Sequence, residues 1–161
     1  MLFLQSDISD PGLDTPLRYP YHIPTHEYHV DDLETLGQPY NNTRRTRING
    51  LGPEGISFIN TGRGRDLGGA LLALDTTGVT DALSLQWLCG TVLRNERHYA
   101  IRLQYRIGHA GPFSDFPDAD DGVFEYPADE DGHTRAFGPV PLPEALLDVP
   151  YLQLLWRYYH H

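Results

Sequence analysis

The sequence predicts an all-β protein, a two-sheet antiparallel β-sandwich of jelly-roll type with a long irregular N-terminal segment. Two observations carry that expectation. Thirteen prolines and sixteen glycines break the chain at short intervals and leave segments of strand length between them. Several of those segments alternate apolar and polar residues, the period of two that a pleated strand imposes by pointing successive side chains to opposite faces. With 161 residues, 40% of them hydrophobic, the chain can build one core. Residues 1–161 are therefore expected to form a single domain, with 1–43 the irregular segment and first strand and 44–161 the sandwich.

From Ser6 to Asn42 the chain is rich in Pro, His, Asp and Tyr and shows no alternation; within it VDDLETL has the spacing for one helical turn. RTRIN and ISFIN flank the turn GLGPEG and read as a hairpin, and GALLALD supplies the next strand. ALSLQWLCG sends Leu83, Leu85, Trp87 and Cys89 inward and Ser84 and Gln86 outward. HYAIRLQYRIG is the clearest strand, with Tyr99, Ile101, Leu103, Tyr105 and Ile107 on one face and His98, Arg102, Gln104 and Arg106 on the other. DFPDADDGVFEYPADEDGH reads as an acidic loop interrupted by the strand FEYP, and TRAFGPV follows it. YLQLLWRYYHH closes the series, with Leu152, Leu154, Trp156 and Tyr158 opposed to Gln153, Arg157 and Tyr159. The amphipathic strands predict a sheet with one packed face and one hydrated face.

A formal charge of -10 repels a phosphate backbone, so nucleic acid is not an expected partner. Every one of the twelve basic residues is arginine, which excludes a Schiff-base or phosphate-loop lysine. Cys89 has no second cysteine to pair with and sits in an apolar run, as a buried structural thiol does. No apolar run reaches the length of a membrane span, so no membrane insertion is expected; MLFLQSD is too short for a signal peptide, and any export signal is expected outside this chain.

Three groups of residues carry candidate chemistry. His22, His26 and His29, beside Glu27, Asp31 and Asp32, have the donor types that hold zinc. Pro24 breaks any helix through them, and HEYH is one residue short of the HExxH motif, so the competing reading is a polar interface loop. The acids Asp115, Asp118, Asp120, Asp121, Glu125, Asp129, Glu130 and Asp131, with Asp118, Asp120 and Asp121 foremost, can hold calcium, although neither DADDG nor ADEDG fits the EF-hand register and solvated charge is the simpler account. Gln86, Arg102, Gln104, Arg106, Gln153, Arg157 and Tyr159 form the outward row of the amphipathic strands. If those strands are neighbours, this row makes a polar face suited to sugar hydroxyls or to an acidic partner, against the plainer reading of a hydrated sheet surface. NTGRGRDLGG lacks the lysine and helix of a phosphate cradle, and no GxSxG elbow occurs.

The phrases RTRINGLGPEGISFINTG, HYAIRLQYRIGHAGPFSDF and FGPVPLP, with YLQLLWRYYH, resemble jelly-roll accessory domains of large secreted bacterial proteins over roughly residues 44–160. AIRLQYRIG leading into HAGPFSDF is also similar, more loosely, to galactose-binding-like and carbohydrate-binding β-sandwiches. The resemblance implies an extracellular or cell-surface setting and, weakly, glycan binding. In the family pattern a further strand follows RYYHH, so the sheet is expected to lack its closing strand. The sequence thus predicts a non-catalytic binding or assembly module recognising glycan or other protein subunits. The alternatives are a surface-filament subunit completed by strand exchange, which makes it a homo-oligomer, and a metal-dependent hydrolase using His22, His26 and His29.

Overall fold

The computed structural model describes residues 2–6, 19–22, 46–50, 55–60, 67–94, 96–118 and 122–161. In chain order the strands are β1 (Leu2–Ser6), β2 (Tyr19–His22), β3 (Thr46–Gly50), β4 (Ile56–Asn60), β5 (Leu67–Leu74), β6 (Ser84–Gly90) and β7 (Tyr99–Ile107). They continue with β8 (Ser114–Asp115), β9 (Pro117–Asp118), β10 (Gly122–Val123), β11 (Glu125–Pro127), β12 (Thr134–Pro141) and β13 (Leu152–His160), with a 3-10 turn at Glu144–Leu146. The fold is all-β, antiparallel and sandwich-like, as the alternating segments predict.

One layer is a seven-stranded sheet in the order β11-β7-β13-β5-β1-β2, with β8 also paired to β7. β13 lies between β7 and β5, and its register sets Trp156 opposite Leu103 on one side and Ala70 on the other. Across from this sheet lie the pair β6–β12 and the hairpin β3–β4. Leu152 and Leu154 of β13 and Leu103 of β7 are buried against Val140 of β12, Leu142 and Leu146, with Leu85 and Trp87 of β6 packed on them. Trp87 stacks on Phe137 at 4.9 Å between centroids and meets Trp156 and Phe124 edge-on, the offset and T-shaped contacts that aromatic quadrupoles favour. At the other end Phe58 of β4 stacks on Tyr158 at 5.4 Å, and Tyr158 on Tyr99.

Two backbone features fix the layers. β12 bulges between Phe137 and Val140, and Gly138 takes φ +99 there, a conformation few side chains tolerate; a Cβ would also lie 2.3 Å from the Leu85 carbonyl oxygen. Thr76, fully buried, donates its hydroxyl to the carbonyls of Leu146 and Val149 at 3.0 Å and accepts the Val149 N–H, which ties the turn after β5 to the segment before β13.

Three expectations are corrected. Tyr19–His22, read as part of the irregular segment, forms β2 and pairs with β1, since backbone pairing does not require alternation. The stretch read as an acidic loop with one strand holds four short strands, β8 to β11, because Phe116, which is wholly buried, and Phe124 anchor it in the core. The sheet face expected to be hydrated is closed: Gln104 is 1% exposed, Gln153 and Arg157 4% and Tyr159 5%. Alternation reports polarity, and a polar side chain whose partners are supplied by the fold can be buried.

Candidate functional site

The β7–β13 register brings six of the seven outward-row residues together on one face. Arg102 stands opposite Arg157, Gln104 opposite Leu155, Arg106 opposite Gln153, and Ala100 opposite Tyr159. Gln86 does not join them: β6 belongs to the other layer, paired with β12, and Gln86 is exposed on its outer side. The period of a strand fixes the phase of its own side chains and says nothing of which strand lies beside it.

Arg102 is the centre of the face. Its Nε donates to Glu125 Oε2 at 2.6 Å, Nη1 to Asp115 Oδ2 at 3.3 Å, and Nη2 to the Tyr159 hydroxyl at 3.3 Å. Gln104 Nε2 donates to the other oxygen of Asp115 at 2.8 Å. The Tyr159 hydroxyl donates to Glu125 in turn, and His161 Nε2 lies 3.4 Å from the remaining Glu125 oxygen. Both carboxylates arrive by strand pairing: β11 sets Glu125 opposite Arg102, and β8 sets Asp115 opposite Gln104. Sequence reasoning named them only among the acids that could hold calcium and did not place them beside Arg102. Nothing in a run of many acids distinguishes these two; the signal is that each pairs with the arginine-bearing strand.

A second knot lies further along β7. Arg106 Nε donates to Gln153 Oε1 at 2.5 Å and Nη1 to the Gly111 carbonyl at 2.8 Å, while the guanidinium stacks 4.3 Å over Phe113. Phe113 also packs on Leu71 and Leu155, so the loop after β7 closes over this end of the face.

The electrostatics follow from these contacts. Burial works against the Arg102 charge, but the Glu125 hydrogen bond and the carboxylates of Glu125 and Asp115 outweigh it, and its pKa is raised. Burial, then the Glu125 carboxylate, lifts the Tyr159 phenol well above its ordinary range, so it stays a donor. Arg106, with no carboxylate partner among the described residues, is lowered by burial against the opposing effect of Tyr151. Cys89, on the other side of the core, is pushed up to about 11 by burial and stays a thiol.

A separate polar node joins β6 to β11 and β12. The Tyr126 hydroxyl lies 3.1 Å from Thr91 Oγ1 and 2.9 Å from His133 Nδ1, and Thr91 Oγ1 accepts the Asp129 N–H at 2.9 Å. These bonds pin the turn between β11 and β12 to the end of β6.

Of the residues proposed for a metal, His22 lies in β2 with its backbone opposite Leu2, and Asp118 in β9 opposite Gly122. His26, His29, Asp120 and Asp121 lie outside the described residues. Among the described residues no group of three or more His, Cys, Asp or Glu is placed to hold a metal ion. Comparison with protein-family models, with curated proteins and with solved structures gave no match.

Proposed function

We propose that the chain is a non-catalytic binding or assembly module that works through protein contacts, outside the cell or at its surface. The observation that carries this reading is the closed polar face. Arg102, Gln104, Arg106 and Gln153, the side chains a sugar would need, already bond one another, Asp115, Glu125 and nearby backbone. A glycan would have to displace internal partners that cost nothing to bring together, and a site complementary to sugar presents its donors open to the ligand. The same geometry weighs against catalysis there, since Asp115 and Glu125 are both engaged as acceptors for Arg102. The extracellular setting is supported by the resemblance to accessory domains of secreted proteins.

The test is retention of the wild type on a panel of polysaccharides, run beside light scattering with and without EDTA. The proposal expects no retention and a mass that EDTA leaves unchanged. Retention abolished by Arg102→Ala with the melting transition intact would replace it with the glycan reading, and dissociation by EDTA would make any assembly a metal-bridged one.

A further inference from the structure

We infer that Arg106 and Tyr151 form a carboxylate clamp, and that it receives an acidic side chain of a different protein docked where β7 ends and β13 begins. The inference rests on the protein-contact reading and names the chemistry of the contact.

The starting point is a guanidinium without a counter-charge. Arg102 and Arg106 lie on one face of β7, and the fold treats them differently. Arg102 is held by the carboxylates of Glu125 and Asp115. Arg106 has neutral partners: Nε donates to the Gln153 amide oxygen, Nη1 donates to the Gly111 carbonyl, and the guanidinium lies over Phe113. The chain has 22 acidic residues to 12 basic ones, yet among the described residues no carboxylate lies within ion-pair distance of Arg106. A half-buried charge is ordinarily paired. Burial lowers the Arg106 pKa and Tyr151 alone opposes it, so an anion set here would stabilise the charged form.

Donors remain on both sides of Gln153. Arg106 Nη2 has no bonding partner among the described residues. The Tyr151 hydroxyl accepts Gln153 Nε2 at 3.2 Å, which leaves its own hydrogen to donate, and Tyr151 is 40% exposed. One amide therefore fixes both groups, taking Arg106 Nε with its oxygen and giving its nitrogen to Tyr151. Gln153 is itself 4% exposed and packed in place, so the clamp is ordered before a ligand arrives. A planar guanidinium edge and a hydroxyl suit the two oxygens of a carboxylate, and its arrival displaces none of the internal bonds.

The surroundings say where the carboxylate comes from. The Gly108 N–H donates to the Tyr151 carbonyl at 2.7 Å, which sets Tyr151 beside the end of β7, where Ile107 is 50% exposed. The His109 ring meets Tyr151 edge-on at 6.3 Å. Arginine and tyrosine ringed by exposed apolar groups are the composition of a protein contact, in which the rim keeps water from the charged centre. A sugar acid would take an open ring to stack on, and Phe113, the ring beside Arg106, has its face under the guanidinium. The chain's own charge of -10 opposes a second copy as the source, because the two would repel. The fitting occupant is an aspartate or glutamate of another protein.

An NMR titration with N-acetylglutamate N-methylamide, which offers a side-chain carboxylate between capped peptide groups, reads the clamp directly. The Arg106 Nε–H and Gln153 side-chain amide signals are expected to shift saturably with a midpoint in the millimolar range, and the glutamine analogue to shift neither. Arg106→Met is expected to abolish the Gln153 shift. Tyr151→Phe, which keeps the ring and its packing and so reads the clamp even if Arg106→Met unfolds, is expected to weaken binding about tenfold. Arg135→Met removes an exposed arginine stacked on Phe137 of the other layer and is expected to leave the titration unchanged. No saturation in the wild type, equal shifts with the glutamine analogue, or binding that survives Arg106→Met or is unaltered in Tyr151→Phe overturns the inference. Glucuronate held about tenfold more tightly through the same signals overturns the protein source as well. The protein-contact reading is judged separately on the polysaccharide panel: a chain that fails this titration and is retained by no polysaccharide loses the clamp and keeps that reading.

Discussion

Replacing Glu125 by leucine removes the acceptor that holds the centre of the polar face. Glu125 takes the Arg102 Nε bond at 2.6 Å and the Tyr159 hydroxyl, and the two ion-paired side chains are 14% and 19% exposed. A hydrogen bond to a charged group contributes ~1.5–3 kcal/mol, and stripping one partner from a fully buried pair costs ~3–5 kcal/mol. Arg102 keeps Asp115 at 3.3 Å and some solvent, which puts the loss toward the lower figures. The expected cost is about 2–3 kcal/mol, or a melting temperature lower by roughly 5–10 °C for a chain of this size. A double-mutant cycle with Arg102→Met separates the pair from its surroundings, because the double variant removes charge and partner together. Urea unfolding followed by near- and far-ultraviolet dichroism supplies the free energies, provided the two probes coincide. A coupling of about 1.5–3 kcal/mol is expected. A value below ~0.5 kcal/mol is what a screened surface pair gives, and it would refute the closed-face description along with the case against a sugar site.

Other expectations bear on the core and the backbone. Leu154, 0% exposed, is expected to cost about 2–5 kcal/mol as Leu154→Ala, read in urea; a loss under ~1 kcal/mol would show that the layers do not close on it. The Cys89 thiol is pushed from 9.0 up to about 11 by burial, so the native state holds its proton where the unfolded chain has lost it. Its share of stability is complete below pH 9 and falls as pH rises toward 11, by about 2–3 kcal/mol. The stability gap between wild type and Cys89→Ala should therefore narrow across that window; a constant gap would place the thiol in solvent. Gly138→Ala combines left-handed strain of ~1–3 kcal/mol with a clash against the Leu85 carbonyl. Gly132→Ala, at φ +79 in open space, meets the strain alone. Thermal melts should rank Gly138→Ala clearly below Gly132→Ala, and equal effects would count against the bulge.

The strands β3 to β7 and β11 to β13, with most of their inward residues, were legible in the linear pattern. Leu83 just before β6, Leu85, Trp87 and Cys89 on it, and Leu152, Leu154 and Trp156 on β13, lie toward the core as alternation requires, and the hairpin of β3 and β4 was readable from its flanked turn. Alternation is local: it is imposed by each strand's own pleat and survives whatever the strand packs against. The closed face was not legible, because it depends on which strands become neighbours and in what register, and those are settled by contacts between residues far apart in the chain. Gln86 and Gln104 read alike in sequence; one is exposed on the narrow layer and the other buried beside Asp115, 11 residues away along the chain. Asp115 and Glu125 were two among many acids until β8 and β11 laid them against Arg102 and Gln104. The sequence specified a polar row, and the pairing of β7 with β8, β11 and β13 turned that row inward on itself, since carboxylates delivered by neighbouring strands make burial of the guanidinium affordable where water would otherwise be needed.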